Sequence, residues 1–457
     1  MKETCKVNSR ELVLSMLMEI DGQKEFSHIL LRQVLDKYDY LPGNEKAFIK
    51  RLTEGTLERR LELDYILNQY SRVEVHRMKP LIRALLRMSV YQLIYMDNIP
   101  DSAVCNEAVK LAVKHKFSSL KGFVNGVLRN IARQKEKLSY PSYEENPLEY
   151  LSIRYSMPLW LVEHFVQLYG EELTEQLLQA FLEEHPITIR VKEELSDRER
   201  EELKDRWQQQ KIRVKQHPYL PYAYSCEKLE GVNRMAGFQE GLLGVQDVSS
   251  MLVAQSAEIK QGIRILDVCG APGGKAIHAA LKLEGSGQVV ARDLSAYKIG
   301  LIQKNANRQR VENLIAEVWD ATLFDPEKEE WADILFCDLP CSGLGIMGKK
   351  RDIKYRLTPE SLEELVRLQR KILTVVWPYV KPGGILMYST CTINPRENEE
   401  QVRWITEKFP FEVEPMAEGL PDALRKLETE QGLQLLPGLQ ETDGFFLARL
   451  RRRKSDE

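Results

Sequence analysis

What this sequence lacks narrows its class before any motif is read. No apolar run approaches the roughly 18 residues that a membrane-spanning helix requires, and the N-terminus carries no secretory-signal pattern. The expectation is a cytoplasmic protein with no membrane contact. Cysteine is sparse: Cys5, Cys105, Cys226, Cys269, Cys337, Cys341 and Cys391 are odd in number, scattered, and form neither a CxxC pair nor a cluster with histidine. That pattern argues against a disulfide framework and a structural zinc, so no metal is expected. Internal repeats and low-complexity tracts are missing too, which excludes solenoids and biased disordered arrays.

The 457 residues are 43% hydrophobic and 29% charged, enough for two or three domains with cores of their own. The net charge of −3 hides an asymmetry. Residues 1–140 carry 24 Lys and Arg against 17 Asp and Glu, whereas the remainder carries 41 against 51. From Lys110 to Lys137 eight basic residues accompany one acid, Glu136. A local basic face can contact phosphates that a near-neutral total does not advertise.

The same 140 residues read as all-helical. Leu12, Val13, Met16, Leu17 and Ile20 recur at helical spacing after Ser9, a candidate N-cap. Leu81, Leu85, Leu86, Val90, Leu93 and Ile94 predict a buried helix. Phe123, Val127 and Ile131 line one face of another, with Lys121, Arg129 and Arg133 pointing elsewhere. Tyr140 to Pro147 reads as a polar, proline-bearing linker. Residues 145–235 read as a small α/β connecting unit: a helix from Tyr150 to Glu184, a strand Ile187–Val191, and a solvated helix between Glu193 and Lys211. The sequence assigns it no chemistry.

Residues 236–453 are organised around Gly383 to Cys391. A Lys381-Pro382-Gly383-Gly384 turn launches an apolar strand run that stops on Cys391. A second such run, from Ile334, leads to Asp338-Leu339-Pro340-Cys341. The helical segment between them, Thr358 to Val380, has the length of a βαβ crossover. Adjacent parallel strands would bring both thiols to the carboxyl edge of one sheet, where open α/β sheets bind ligands. Upstream, Ile263 to Val268 feeds the turn Cys269-Gly270-Ala271-Pro272-Gly273-Gly274-Lys275 and then a helix. Its spacing is neither the dinucleotide GxGxxG nor a P-loop; a nucleotide, a flavin or S-adenosylmethionine would fit it. Asp293 ends the next strand, where an acid can accept from ribose hydroxyls. Asp320 follows a third run, Leu314 to Val318, where an acid could receive an adenine amino group.

Asn106-Glu107-Ala108-Val109 and Phe123 to Arg129 resemble the NusB-like helical RNA-binding domain. Asp267 to Lys275 and Asp338 to Gly343 closely resemble the RNA cytosine-5 methyltransferases. Ser389-Thr390-Cys391 matches that family's Thr-Cys motif, and Gln246 to Ser250 and Asp443 to Phe446 match its flanking signatures. The two resemblances together are similar to the branch of the family that modifies 16S ribosomal RNA. They imply a NusB-like domain at 1–140, the small α/β unit at 145–235, and a Rossmann-like, class I S-adenosylmethionine-dependent methyltransferase domain at 236–453. They imply S-adenosyl-L-methionine as cofactor, 16S ribosomal RNA (free or in an early small-subunit particle) as partner, and a monomer.

The reaction so implied is methyl transfer to carbon 5 of a cytosine through a cysteine–C6 adduct. By the same resemblance Cys391 would be the nucleophile, Cys341 would assist release, and Asp338 would bind ring nitrogen N3 and the exocyclic amine. Cys269, Gly270, Ala271, Pro272, Gly273, Gly274 and Lys275 would wrap the cofactor, with Asp293 at its ribose, Asp320 at its adenine and Asp338 near its sulfonium. Gly270 stands where relatives often have alanine, and Ser295 where they often have an acid, which could remove a ribose contact. Lys275 could also meet an RNA phosphate or be a solvated helix lysine. Glu397 either orients the Cys391 loop or simply begins a helix. Arg449, Arg451, Arg452, Arg453 and Lys454 either extend the RNA surface or form a solvated tail. The competing readings are the same chemistry on transfer RNA or another ribosomal site, and a non-catalytic RNA-binding assembly factor. Intact Cys391, Asp338 and the 270–274 turn weigh against the last.

Overall fold

The structure, a computed structural model, describes residues 7–22, 26–183, 186–227, 229 and 231–454. Cys5, one of the scattered cysteines, and Glu184, read above as the end of a helix, lie outside the described residues. The chain divides into two compact units, one up to residue 183 together with 347–356, the other holding 184–346 and 357–457. Among the described residues no helix is long and apolar enough to cross a membrane.

The first unit is helical: α1 Ser9–Asp21, α2 Ser27–Lys37, α3 Gly43–Glu58, α4 Arg60–Tyr70, α5 Pro80–Tyr95, α6 Asp101–Lys114, α7 Lys121–Gln134, α8 Pro147–Arg154 and α9 Leu159–Ala180. Helix α5 is its most buried element, as the apolar spacing predicts. The N-cap of α1 is Asn8 rather than Ser9, since the Asn8 side chain accepts from the Glu11 N–H at 3.1 Å. The long helix predicted from Tyr150 is two helices, because Pro158 cannot donate a helical hydrogen bond. Helix α9 breaks again at Gly170, where φ is 77°.

Tyr140 is no free linker residue: its hydroxyl donates to buried Glu62 at 2.7 Å. On α6 and α7, Lys110, Lys114 and Lys135 are ion-paired with Glu107, Glu11 and Asp101. Lys121, Arg129 and Arg133 stay exposed. Residues 347–356 pack into this unit through Arg351, which bonds Glu54 at 2.7 Å and Glu58 at 2.8 Å. Asp352 accepts from both the N–H and the hydroxyl of Ser27.

The second unit opens with β1 Ile187–Val191, β2 Arg213–Gln216, β3 Ala223–Glu227 and β4 Leu243–Val245, paired antiparallel in the order β2-β3-β1-β4. Helix α10, Asp197–Gln209, starts on a Ser196–Glu199 capping box. It is not simply solvated, because Leu203 and Trp207 are buried against this small sheet.

The main sheet contains β5 Arg264–Asp267, β6 Gln288–Asp293, β7 Leu314–Val318, β8 Ala332–Asp338, β9 Val380–Thr390, β10 Phe411–Val413, β11 Glu428–Thr429, β12 Gly432–Leu435 and β13 Phe445–Arg452. Its order is β11-β12-β13-β9-β8-β5-β6-β7, with β10 on β13. Strands β5 to β9 run parallel, and β13 pairs antiparallel with β9. Helices α11 Val248–Gln255, α12 Gly274–Lys282, α13 Ala296–Arg308, α14 Pro359–Val376, α15 Glu399–Lys408 and α16 Asp422–Arg425 complete the unit. The chain winds from β5 towards β7 and then restarts at β8 on the other side of β5. The sheet is therefore Rossmann-like, with its switch point at the carboxyl ends of β5 and β8. Ile265, Leu266, Val289, Val290, Leu335, Phe336, Leu386 and Met387 are buried in its strands, which explains their continuous apolar runs.

Two further expectations need correction. Helix α14, capped by Thr358 with Pro359 at its first turn, ends at Val376 rather than Val380. Val380 already pairs with Ala332, and the Lys381–Gly384 turn is absorbed as an irregularity within β9. The basic C-terminal residues are also largely structural. Arg449 is buried, donating to the Ser256 carbonyl at 3.0 Å and pairing with Glu258 at 3.0 Å and Glu414 at 3.1 Å. Arg451 joins the same two glutamates, and Arg452 pairs with Glu330 at 2.9 Å. Exposed Arg453 and Lys454 follow the strand. Removing a buried guanidinium strands its partners, so Arg449→Met should lower stability by about 2–3 kcal/mol. Urea unfolding would register it, with the salt dependence of RNA binding unchanged; weakened RNA binding at full stability would return Arg449 to the RNA surface.

Candidate active site

Successive parallel strands end on acids. Asp267 closes β5, Asp293 closes β6 and Asp338 closes β8. Parallel pairing sets Asp338 opposite Ser389 of β9, and the Ser389 hydroxyl donates to Asp338 Oδ1 at 2.9 Å. Two residues beyond Ser389 the chain reaches Cys391, and three beyond Asp338 it reaches Cys341. Their Sγ atoms are 3.3 Å apart. The loops are tied together by backbone as well: Gly345 donates to the Cys391 carbonyl at 3.1 Å, and Gly444 to the Gly345 carbonyl at 3.0 Å. A Cβ on Gly345 would stand 2.0 Å from the Gly444 carbonyl oxygen, so only glycine fits that crossing.

Lys275, at the start of α12, is neither solvated nor distant. Its ammonium donates to Asp338 Oδ2 at 2.7 Å, lies over the Phe445 ring, and its side chain is 13% exposed. Burial works to lower its pKa, but the charge and hydrogen bond of Asp338, helped by Asp267, raise it above the ordinary value. Lys275 is therefore held charged. Cys341 goes the same way for another reason: its hydrogen bond to Cys391, then burial, push its thiol pKa well above normal.

The glycine-rich turn hangs from β6. Asp293 Oδ2 accepts from the Ala271 N–H at 3.1 Å, and Oδ1 from the Leu294 N–H and the Lys298 ammonium. Gly270 donates to the Arg292 carbonyl at 2.8 Å, and Gly273, at φ 105°, caps α12. A Cβ on Gly270 would meet the Asp267 carboxyl at 3.1 Å, a tight fit where a neighbour must yield. Cys269 is half-buried beside these acids, and burial followed by their charge raises its pKa. Cys105, Cys226 and Cys337 are buried core thiols. Asp320 stands apart from the thiols: it accepts from the Thr322 N–H and hydroxyl, both at 2.8 Å, in a turn just past β7.

Two buried polar groups beside the turn lie in quoted motifs but were given no role from the sequence. Asp267 is fully buried; its Oδ1 accepts from the Cys269 N–H at 3.3 Å, and its Oδ2 has no partner. As a strand-end acid it carries the same signal that singled out Asp293. Gln246, flanking the turn beside Gly274, likewise has a buried Oε1 without a partner. Among the described residues no group of three or more His, Cys, Asp or Glu side chains is arranged to hold a metal ion.

Burial, reinforced by Asp338 and opposed by Lys275, lifts Asp267 from its ordinary 3.8 to about 7. The folded protein therefore holds this proton through a pH range in which the unfolded chain has lost it. Asp267 thus makes stability fall as pH rises from about 4 to about 7. In urea unfolding, the difference between Asp267→Asn and wild type should move in the variant's favour between pH 4 and pH 8. Parallel pH profiles would mean that the native carboxyl is already ionised.

Residues 254–451 match the family model described as 16S rRNA methyltransferase RsmB/F, and residues 7–133 match that of the NusB family. Residues 157–229 match the ferredoxin-like domain of RsmF/B-like methyltransferases. The chain is 34% identical to a probable ribosomal RNA small subunit methyltransferase B of Bacillus subtilis (strain 168), covering 98% of this chain and 99% of the other. Its fold is similar to the crystal structure of PH0851, with TM-score 0.81 at 24% identity over 97% of this chain and 99% of that one. It is also similar to NSun6 from Pyrococcus horikoshii with SFG, with TM-score 0.55 at 21% identity over 64% and 97%. The expected methyltransferase with a NusB-like front end holds: the chain belongs to the 16S rRNA methyltransferase RsmB/F family.

Proposed function

We propose that this protein transfers a methyl group from S-adenosyl-L-methionine to carbon 5 of a cytosine in 16S ribosomal RNA. The observation that carries the reading is the 3.3 Å contact of Cys341 with Cys391 at adjacent parallel strand ends, beside Asp338. Carbon 5 of cytosine is a poor nucleophile. Cys391 adds as thiolate to carbon 6, and Asp338, bonded to Ser389 and Lys275, receives the ring-nitrogen side and the exocyclic amine. The ring electrons then fall on carbon 5, which takes the methyl group. To finish, the carbon-5 proton leaves to water, the C5=C6 bond reforms and the sulfur of Cys391 is expelled. Cys341, whose sulfur lies 3.3 Å from that of Cys391, hydrogen-bonds to the departing sulfur.

The cofactor would supply an already activated methyl on a sulfonium. The residues fit it: the partnerless Asp267 Oδ2 and Gln246 Oε1 are buried acceptors flanking the glycine-rich turn, where ligand N–H and O–H groups would satisfy them. Cys269 to Lys275 would pass around it, with Asp293 towards the ribose and Asp320 towards the adenine. The neighbour NSun6 carries SFG, an S-adenosylmethionine analogue, which supports the same class of ligand here.

The target base must leave the RNA stack to reach a thiol at a strand end. In this reading residues 1–140 grip RNA, with Lys121, Arg129 and Arg133 supplying phosphate contacts. Residues 145–235 connect, residues 236–453 catalyse, and the enzyme works as a monomer in the cytoplasm where its substrate is made. The test is a denaturing gel of wild type, Cys341→Ala and Cys391→Ala after incubation with 16S RNA and cofactor. A slow-migrating, nuclease-sensitive adduct is expected for Cys341→Ala alone. An adduct from Cys391→Ala would exchange the two roles; adducts on transfer RNA alone would move the substrate.

A further inference from the structure

Behind the two thiols lies a fully buried carboxylate that the mechanism above does not use. Glu397 follows Asn394-Pro395 in a short 3-10 turn and is 0% exposed. Its Oε2 accepts from the Ser342 N–H at 2.9 Å and from Gln369 Nε2 at 3.1 Å. Its Oε1 accepts from the Ser342 hydroxyl at 2.5 Å and Asn394 Nδ2 at 3.0 Å. Four donors converge on its two oxygens, so the carboxylate is fully engaged as an acceptor.

The direction of the remaining bonds follows. Ser342 spends its single hydroxyl proton on Glu397, so the 2.7 Å contact between Ser342 Oγ and Thr392 Oγ1 must use the proton of Thr392. Thr392 Oγ1 in turn accepts from the Asn394 N–H at 3.3 Å. Gln369, on α14, also donates to the Pro340 carbonyl at 3.0 Å, and its own Oε1 accepts from Gln401 at 3.0 Å. Pro340 and Ser342 are the residues on either side of Cys341, and Thr392 is the residue after Cys391. One carboxylate therefore holds the backbone after Cys341 directly and that before it through Gln369, and reaches the neighbour of Cys391 through Ser342. All six of these side chains, from Ser342 to Gln401, are buried, where such bonds are strong and a lost partner is costly.

We infer that Glu397 is a positioning residue that sets Cys341 against Cys391 and so governs release of the covalent RNA intermediate. The inference rests on the methyl-transfer reading above. Of the two thiols, attack needs only Cys391, whereas release needs Cys341 within hydrogen-bond reach of the sulfur that departs. Loosening the clamp should therefore slow the second half of the reaction more than the first.

Glu397→Gln keeps the shape but turns an amide donor towards donors. With 16S RNA and cofactor, it should turn over at least about ten-fold more slowly, within the roughly hundred-fold that a small misplacement can cost. KM for RNA and cofactor should stay within about two-fold, and a fraction of the enzyme should be trapped as RNA adduct at steady state, as for Cys341→Ala. Ser342→Ala, which removes one arm of the clamp, should trap a smaller fraction and carries the test if Glu397→Gln does not fold. Loss of turnover with no trapped adduct in folded variants, while Cys341→Ala traps normally, would overturn the clamp and leave the catalytic reading standing. Absence of an adduct from Cys341→Ala itself would overturn the reading and the inference together.

Discussion

The parallel pairing of β8 with β9 is the constraint on which the site depends. Parallel strands cannot be joined by a tight turn, so α14 must carry the chain back across the sheet. That return delivers the loops after Asp338 and after Thr390 to the same carboxyl edge. Residues fifty positions apart in sequence thereby come within 3.3 Å, and Asp338 faces Ser389 across the same ladder. A slip of one residue in this register would turn alternate side chains to the opposite face and separate the thiols. The antiparallel strand β13 adds the third wall, bringing Gly444 against Gly345 and Phe445 under Lys275.

Charge is concentrated where the sheet is least able to solvate it. Asp267 and Asp338 end neighbouring strands, and one ammonium, Lys275, is bonded to the second of them. Asp267, buried with one unpartnered oxygen, is lifted to about 7, while Asp338 is held by both Lys275 and Ser389. Glu397 meets a different solution in the same core, with every acceptor position matched by a donor. The contrast separates an acid framed entirely by protein donors from one that leaves an acceptor oxygen without a partner.

Much of this was legible beforehand because the signals are local. The Cys269–Lys275 turn after an apolar run, the Asp338-Leu339-Pro340-Cys341 step and the Thr390-Cys391 ending each announce a strand end and its chemistry within a dozen residues. The corrections fall where a residue's partner is remote. Arg449 looked like part of a basic tail because Glu258 and Glu414, which neutralise it, are far from it in the chain. Lys275 was left between a cofactor contact, an RNA phosphate and a solvated lysine because its partner Asp338 lies 63 positions on. Tyr140 read as linker because Glu62 lies in another helix. Val380 was assigned to a helix because its pairing with Ala332 is a property of the sheet.

By itself the sequence determined the class of fold, the order of its regions and the residue types available for the chemistry. Hydrophobic periodicity, turn residues and short motifs are written along the chain, and each is set by neighbours a few positions away. Only the tertiary structure decided which two thiols meet, which lysine is pinned, and which glutamate grips both loops. Those properties come from burial and from hydrogen bonds between distant segments, and neither exists until the strands have paired.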